Sequence, residues 1–257
     1  MKTALVSLSA EGVQIIRKLA SGFPGADLFV HKSVRPDMGA LHFESILELT
    51  AVIFNQYKAI VYVAPTGVVV RAVAPHVKSK YTDPAIVVVD AMGRFAISLL
   101  SGHEGGANEL AIRVANVIGA EPVVTTTTEA LKSLIVGIGC RRGAKAEVII
   151  EAVKEALSRI KADPGEVRLL ASADIKANEE GLLEAAGRMG ISLRLIPSNE
   201  IRETKKIFAH SELAQKRVGL PAVAEPAALL AGRHTRLILE RIIWKSITVA
   251  IARENFT

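Results

Sequence analysis

Runs of apolar residues alternate with segments of helical periodicity along the first part of the chain, and this alternation predicts its elements. The aliphatic runs TALVSLS (3–9), ADLFVHK (26–32) and AIVYVAP (59–65) predict strands. Between them, GVQIIRKLASGF (12–23) and SILELTAVIFNQY (45–57) repeat their apolar residues with the spacing of a helix. The run AIVYVAP is apolar throughout, which is typical of a strand that is buried on both faces.

The stretch AIVVVDAMGRFAISLL (85–100) contains two apolar runs that are separated only by residues 90–94. Because this connection is too short for a crossover helix, the two strands are predicted to be antiparallel neighbours. A helix (107–119) and a strand (121–128) follow. The first half of the chain therefore predicts a mixed sheet with helices on both sides.

The second half continues the alternation of strands and helices after EALKS (129–133), the predicted boundary. Its predicted elements are strand 134–140, helix 145–160, strand 167–173, helix 181–190, strand 192–197, helices 210–219 and 224–232, and strands 236–239 and 246–252. We therefore expect an α/β protein of two consecutive three-layer α/β domains with mostly parallel, mixed sheets, at residues 1–133 and 134–257.

The composition narrows the class of protein. Half of the residues are apolar and 23% are charged, which is typical of a globular protein and not of a disordered one. No apolar run approaches the roughly 18 residues of a membrane span, and the first residues lack the pattern of a signal peptide. Cys140 is the single cysteine, so no intramolecular disulfide can form. These features predict a cytoplasmic protein with no membrane partner.

The formal net charge of +6 favours an anionic partner. Aromatic residues make up only 4% of the chain and the sequence has no dense tract of lysine and arginine, so we expect no nucleic-acid partner. A polyanionic small molecule fits the charge at least as well.

Three glycine-bearing turns, each between a predicted strand and a predicted helix, could bind a ligand: PTGVVVR (65–71), SGHEGGAN (101–108) and GIGCRRG (137–143). In open α/β sheets such turns gather at the carboxyl edge, where ligands bind. Glycine lets the backbone approach a ligand, and the first N–H groups of a helix face an anion. In the first of these turns, the candidate binding residues are Thr66, Gly67 and Arg71. Arg71 could equally form an ion pair on its helix.

The turn GIGCRRG (137–143) differs by one residue from the dinucleotide-binding fingerprint and lacks the acidic residue expected about 20 positions later. Gly139, Arg141 and Arg142 better suit a carboxylate or phosphate, because guanidinium binds these groups with two parallel hydrogen bonds. A solvated basic turn is the alternative. Cys140 follows an apolar strand, where a cysteine usually serves packing.

The turn SGHEGGAN (101–108) combines an imidazole, a carboxylate and exposed backbone N–H groups. His103 and Glu104 could activate a water molecule, and the amides of the turn could hold a tetrahedral oxyanion. A purely structural strand-to-helix turn is the alternative. The glycines of the turn are Gly102, Gly105 and Gly106. The six histidines show no metal-ligand spacing, so we expect no metal site.

Six stretches, two in the first half and four in the second, form a recognisable set. They are PTGVVVRAVAPHVKSKYTDPAIVVVD (65–90), FAISLLSGHEGGANELA (95–111), VGIGCRRG (136–143), ASADIKANEEGLL (171–183), VAEPAALLAG (223–232) and ITVAIAR (247–253). Together and in this order, they resemble the CbiG family, the cobalt-precorrin-5A hydrolases of anaerobic cobalamin biosynthesis. Three departures stand out. Glu240 and Arg241 stand where family sequences often have a Pro-Lys step. Thr128 leads almost directly to Leu134, where family members often carry a middle region, and Glu104 replaces a residue that is commonly apolar.

The resemblance implies a hydrolase that opens the ring-A δ-lactone of a cobalt-containing macrocycle with water and releases acetaldehyde, giving cobalt-precorrin-5B. It implies no cofactor, because the substrate carries the cobalt. His103 would be the general base, with Asn108 and the Gly105 and Gly106 amides at the oxyanion. Glu104 is a weaker catalytic candidate. The residues expected to bind the substrate are Thr66, Gly67, Arg71, Gly102, Gly105, Gly106, Gly139, Arg141, Arg142, Lys176 and Glu225.

Two other functions stay open. One is a non-catalytic corrinoid-binding or carrier protein of the same pathway, since the middle region is absent and the second half resembles a stand-alone corrinoid-pathway protein. The other is an NADP-linked reductase built on GIGCRRG (137–143). The expected partner is a polyanionic tetrapyrrole, and both a homodimer and transfer of the substrate from other pathway enzymes are compatible with the sequence.

Overall fold

A computed structural model of the protein describes residues 2–34 and 39–255. The chain divides into two compact units, residues 1–126 and 127–257. The predicted boundary, after residue 133, lies a few residues later than this division. Each unit is a mixed β-sheet covered by helices on both faces, which confirms the predicted α/β class.

The first unit contains seven strands and four helices in its described residues, and the sheet has the order β3-β2-β1-β4-β5-β6-β7. The strands are β1 (Thr3–Ser7), β2 (Asp27–His31), β3 (Leu41–Phe43), β4 (Ala59–Val63), β5 (Ala85–Val89), β6 (Phe95–Leu100) and β7 (Glu121–Val123). The helices are α1 (Ala10–Gly22), α2 (Ile46–Ile53), α3 (Thr66–Val73) and α4 (Ala107–Ile118).

The continuous apolar runs form the central strands because residues on both of their faces are buried. All residues of β1, β4 and β5 are buried. The helices α1 and α4 cover one face of the sheet and α2 and α3 cover the other, each pair with its own hydrophobic core. The predicted strand 121–128 is shorter than expected, because a helical turn (Thr127–Ala130) already begins at Thr127.

The strand β6 runs against its neighbours. The strands β1 to β5 are parallel, whereas β5 and β6 are antiparallel, with Ile86 beside Leu100 and Val89 beside Ala96. This confirms the predicted antiparallel pair. It also places the end of β6, and the turn 101–106 that follows it, at the edge where β4 and β5 begin. The expectation that all three glycine turns gather at the carboxyl edge was therefore wrong for this turn.

The second unit contains five strands in the order β10-β9-β8-β12-β11. The strands are β8 (Leu134–Gly139), β9 (Val167–Ala173), β10 (Leu193–Ile196), β11 (Thr235–Trp244) and β12 (Ile247–Glu254). The helices are α5 (Thr127–Ala130), α6 (Ala146–Arg159), α7 (Glu180–Met189), α8 (Ser198–Glu203), α9 (Glu212–Val218) and α10 (Ala224–Leu230). The strands β8, β9 and β10 are parallel, and β12 is antiparallel to both β8 and β11.

Helix α10 approaches the sheet of the second unit closely at Gly137. A Cβ atom on Gly137 would lie 1.9 Å from the carbonyl oxygen of Ala224 and 2.9 Å from the Cβ of Ala228. Glycine is needed here because any side chain would collide with the backbone of the helix. The helices α6 and α7 pack on the opposite face of this sheet, over a separate core. Within the described residues, no helix has the length and apolar character needed to cross a bilayer.

Candidate functional site

The turn between β6 and α4 is shaped by its own backbone hydrogen bonds. The carbonyl of Ser101 accepts hydrogen bonds from the N–H groups of Gly105 and Ala107, both at 3.1 Å. A Cβ on Gly105 would lie 2.3 Å from the Cβ of Ser101, so glycine makes room for this serine. Ser101 and Gly106 both have left-handed backbone conformations, with φ of 59° and 83°. For the serine, this conformation stores local strain.

The buried side chain and the backbone of Asn108 hold the turn in place through hydrogen bonds. Its side chain is buried, accepts a hydrogen bond from the Ser98 hydroxyl at 2.8 Å, and donates one to the Thr126 hydroxyl at 2.9 Å. Its backbone N–H donates to the carbonyl of Gly102 at 2.9 Å. Both ends of the Asn108 amide are therefore occupied within the protein, and the residue holds β6, α4 and the turn together.

His103 and Glu104 lie at the exposed tip of the turn. Glu104 forms a salt bridge with Lys80, and the hydrogen bond from this lysine lowers the pKa of the Glu104 carboxyl below its usual value of 4.5. Lys80 belongs to the loop before β5, which Asp83 stabilises by accepting hydrogen bonds from the backbone N–H groups of Lys78 and Ser79. The turn thus presents an exposed imidazole on a backbone that is fixed on two sides.

Thr66, Gly67 and Arg71 lie at the opposite edge of the same sheet, where α3 begins after β4. The Arg71 guanidinium donates a hydrogen bond to the carbonyl of Gly67 at 2.9 Å, one turn earlier on its helix. A strand of six residues such as β6 spans roughly 16 Å. The structure therefore does not bring these three residues together with His103.

In the second unit, the turn after β8 carries two exposed guanidinium groups, those of Arg141 and Arg142. Gly139 is the last residue of β8, directly before this turn, and a Cβ at its position would be 3.5 Å from the Cβ atoms of Val223 and Thr248. Cys140 is partly buried, and burial raises the pKa of its thiol to about 11. Because the thiol stays protonated at neutral pH, Cys140 lacks the thiolate that a nucleophile needs.

Lys176 and Glu225 are both engaged within the protein. The Lys176 ammonium lies 3.2 Å from the Glu179 carboxylate, whose other oxygen accepts a hydrogen bond from the Gly143 N–H at 2.7 Å. Glu225 is buried, and its two oxygens accept hydrogen bonds from the backbone N–H groups of Ala209, at 2.7 Å, and Arg241, at 2.8 Å. Glu225 thus joins the segment before α9 to the strand β11.

The buried hydroxyl and the strained backbone of Ser101 were not predicted from the sequence. Its hydroxyl is buried and has no hydrogen-bond partner within the described part of the chain. Nothing in the sequence distinguishes this serine from the many that end a strand, because its positive φ appears only in the folded backbone. Across residues 2–34 and 39–255, no group of three or more His, Cys, Asp or Glu side chains is arranged to hold a metal ion.

Comparison with known proteins assigns the chain to a family. Models described as "Cobalamin synthesis G N-terminal" and "Cobalamin synthesis G C-terminus" match residues 48–129 and 134–252. Protein CobE of Sinorhizobium sp is 34% identical over 128 residues, covering 49% of this chain and 83% of CobE. The chain belongs to the CbiG family. The expected resemblance is thereby confirmed, and the two matches fall on the two units.

Longer CbiG relatives align along nearly the whole chain. The cobalt-precorrin-5A hydrolase of Salmonella typhimurium is 25% identical over 341 positions, covering 96% of each chain. The cobalt-precorrin-5A hydrolase of Priestia megaterium is 25% identical over 352 positions, covering 97% of this chain and 94% of the relative. Because both alignments are longer than the 257 residues of this CbiG protein, the relatives contain residues that it lacks.

Proposed function

We propose that this CbiG protein is a cobalt-precorrin-5A hydrolase. The observation that carries the proposal is the alignment of both units with relatives of that name, over 96% and 97% of the chain. The net charge of +6 supports it, since such a substrate carries carboxylate side chains. In this proposal the cobalt arrives with the macrocycle, and the protein supplies no metal of its own.

The reaction is proposed to begin with the attack of water on the carbonyl carbon of the ring-A δ-lactone. A base takes the proton from the water, and the tetrahedral intermediate expels the ring oxygen as an alkoxide. The alkoxide then forms the carbonyl of acetaldehyde as the bond between its carbon and the macrocycle breaks. The electron pair of that bond stays on the macrocycle and takes up a proton, so the net change is addition of one water and loss of acetaldehyde.

The turn after β6 is the proposed place of this chemistry. His103 is exposed at its tip and can take the proton from water. The Gly105 N–H and the Asn108 amide already make internal hydrogen bonds, so we assign them to shaping the turn. Within the described residues, the Gly106 N–H lies at the start of α4 and makes no backbone hydrogen bond, and it is our proposed donor to the oxyanion.

Replacement of His103 tests the assignment. We expect His103→Ala to lower kcat by about 100-fold or more while KM stays within about two-fold, because the base acts on the water and not in substrate binding. Acetaldehyde release from cobalt-precorrin-5A is the measurement. His42→Ala removes another exposed histidine of the first unit, on the edge strand β3, and should leave turnover unchanged. Undiminished turnover in His103→Ala would overturn the role of His103.

A non-catalytic corrinoid carrier is the second candidate, favoured by the match of about half of the chain to CobE and by the residues that longer relatives contain and this chain lacks. The same assay separates the two functions. Tight corrinoid binding without acetaldehyde, under conditions in which the Salmonella typhimurium relative turns over, would support the carrier and reject the hydrolase.

A further inference from the structure

Helix α9 is an exception among the longer helices of the second unit, because none of its residues is buried. Leu213 is 51% exposed and Val218 is 39% exposed. Short helices in proteins owe most of their stability to an apolar face that packs on the body of the protein. A seven-residue helix that leaves its leucine in solvent therefore lacks the usual reason to be ordered.

The order of α9 comes from contacts on either side of it. The Ser211 hydroxyl caps the helix by accepting a hydrogen bond from the Ala214 N–H at 3.3 Å. The Ser211 N–H donates to the carbonyl of Pro221 at 2.7 Å, which closes residues 211–221 into a loop. We call this segment the α9 loop. Its base is fixed, whereas the outer face of its helix is open.

The α9 loop lies at the carboxyl edge of the second sheet. Val223, just after the loop, lies beside Gly139, where β8 ends. The carbonyl of Gly219 accepts a hydrogen bond at 3.3 Å from the guanidinium of Arg202 on α8, the helix that begins directly after β10. The loop is therefore held at the same edge as the turn that carries Arg141 and Arg142.

The open face of α9 combines an apolar side chain with positive charge. Leu213, Lys216 and Arg217 share one side of the helix, since residues three and four positions apart are neighbours there. Glu212 lies 3.8 Å from Lys216, but both side chains are more than three-quarters exposed, and a pair of this kind is worth little.

Two acidic groups at this edge are engaged within the protein. The Glu179 carboxylate is paired with Lys176, and the Asp174 carboxylate accepts a hydrogen bond from the Ser198 hydroxyl. The exposed guanidinium groups of Arg141 and Arg142 at the same edge add to the positive charge of α9. Such a surface complements a ligand that has a broad apolar face and a rim of carboxylates.

We propose that the α9 loop is a corrinoid-binding element of the second unit. Leu213 packs on the face of the macrocycle, and Lys216 and Arg217 bind its carboxylate side chains. The identity of the ligand class rests on the proposed function. The α9 loop itself is new to that proposal, because none of its residues belongs to the glycine turns or to the expected site.

Protection of the α9 loop in the full-length protein tests the proposal. The probe is cobyrinic acid, a cobalt corrinoid whose side chains end in free carboxylates. We expect it to slow trypsin cleavage after Lys216 and Arg217, and hydrogen exchange of the loop amides, by about ten-fold at saturation, because a bound macrocycle holds α9 closed against local opening. Unchanged cleavage and exchange at saturating cobyrinic acid would overturn the proposal.

Two matched pairs of variants test the contacts. Lys216→Ala should weaken cobyrinic acid binding about ten-fold, as expected for a lost charge-assisted contact, whereas Lys154→Ala, on the exposed side of α6, should not. Leu213→Ser should weaken binding several-fold, whereas Leu183→Ser, at a similarly exposed leucine (46%) of α7, should not.

A corrinoid without free carboxylates distinguishes the contribution of charge to binding from that of apolar contact. Cobinamide carries amides in place of the carboxylates, so Lys216→Ala should affect its binding less than that of cobyrinic acid, while Leu213→Ser should affect both equally. Equal losses in an α9 variant and its control would overturn the proposal.

The outcome is distinguishable from that of the proposed function. Corrinoid protection of the α9 loop without acetaldehyde release would reject the hydrolase and keep the binding element. Acetaldehyde release with no protection of the α9 loop and no effect of its variants would support the hydrolase and reject the binding element.

Discussion

Asn108 is more important to the folded structure than its place beside the catalytic candidates suggests. Its amide joins Ser98 of β6 to Thr126, and Asn108→Ala removes both bonds and leaves two hydroxyl groups without their partner. We expect this variant to lower the free energy of unfolding of the first unit by about 2 kcal/mol. Urea denaturation followed by circular dichroism measures the change.

Asn55→Ala is the control for this prediction. Asn55 is exposed in the same unit, so its replacement should change the unfolding free energy by no more than about 0.5 kcal/mol. If Asn108→Ala were as stable as Asn55→Ala, the amide would not be a structural tie, and its role at the oxyanion would regain support.

Residue type alone could not divide binding residues from structural ones. Asn108 lies in a glycine turn, and Lys176 and Glu225 were expected to bind the substrate only because of the family resemblance, so each could have faced a ligand. In the structure their polar atoms are met by other parts of the protein, often far away in sequence: Glu225 binds the backbone at residues 209 and 241. Such partners are determined by the tertiary fold and cannot be predicted from a local sequence pattern.

At the scale of elements, the Lys80–Glu104 salt bridge links the loop before β5 to the turn after β6. The pKa of Glu104 is lowered in the folded protein, so the pair stabilises the fold above pH 4.5 and its contribution is lost as the pH falls through the lowered value. We expect wild type to lose more stability than Glu104→Gln between pH 7 and pH 3. Urea midpoints across this range are the measurement.

Lys80→Met should flatten the pH dependence in the same way, since it removes the other partner. Glu121→Gln, at an exposed carboxylate that begins β7, should leave the difference from wild type unchanged across the range. Parallel pH profiles for wild type and Glu104→Gln would contradict the prediction and show that the salt bridge adds no stability in solution.

Periodicity predicted most elements, and the short link at residues 90–94 predicted the antiparallel pair β5 and β6 correctly. The error lay in the next step. The turn 101–108 was expected beside the turn 65–71 because both follow strands, but a reversed strand carries its end to the other edge of the sheet. The strand β3 was not predicted, because three residues are too few to show a period.

At the scale of the whole molecule, each unit has its own hydrophobic core. We therefore expect residues 127–257, expressed alone, to fold into a cooperative domain. A single sigmoidal urea transition and dispersed amide resonances would confirm this.

Ile149→Asp in this fragment is the control, because it places a charge in the core beneath α6 and should abolish the transition. A fragment without a cooperative transition, whatever its helix content, would contradict the prediction and show that the second unit cannot be stable without residues 1–126.

Gly137 determines how closely helix α10 packs on the sheet of the second unit. The glycine lets α10 sit directly on the sheet, and α10 carries Glu225, which holds the backbone on both sides of that helix. The position of α10 therefore sets the position of the segment leading into the α9 loop and of part of β11. Because residue 137 has no side chain, the distance between α10 and the sheet is short and fixed, and this distance determines where two segments far apart in sequence lie.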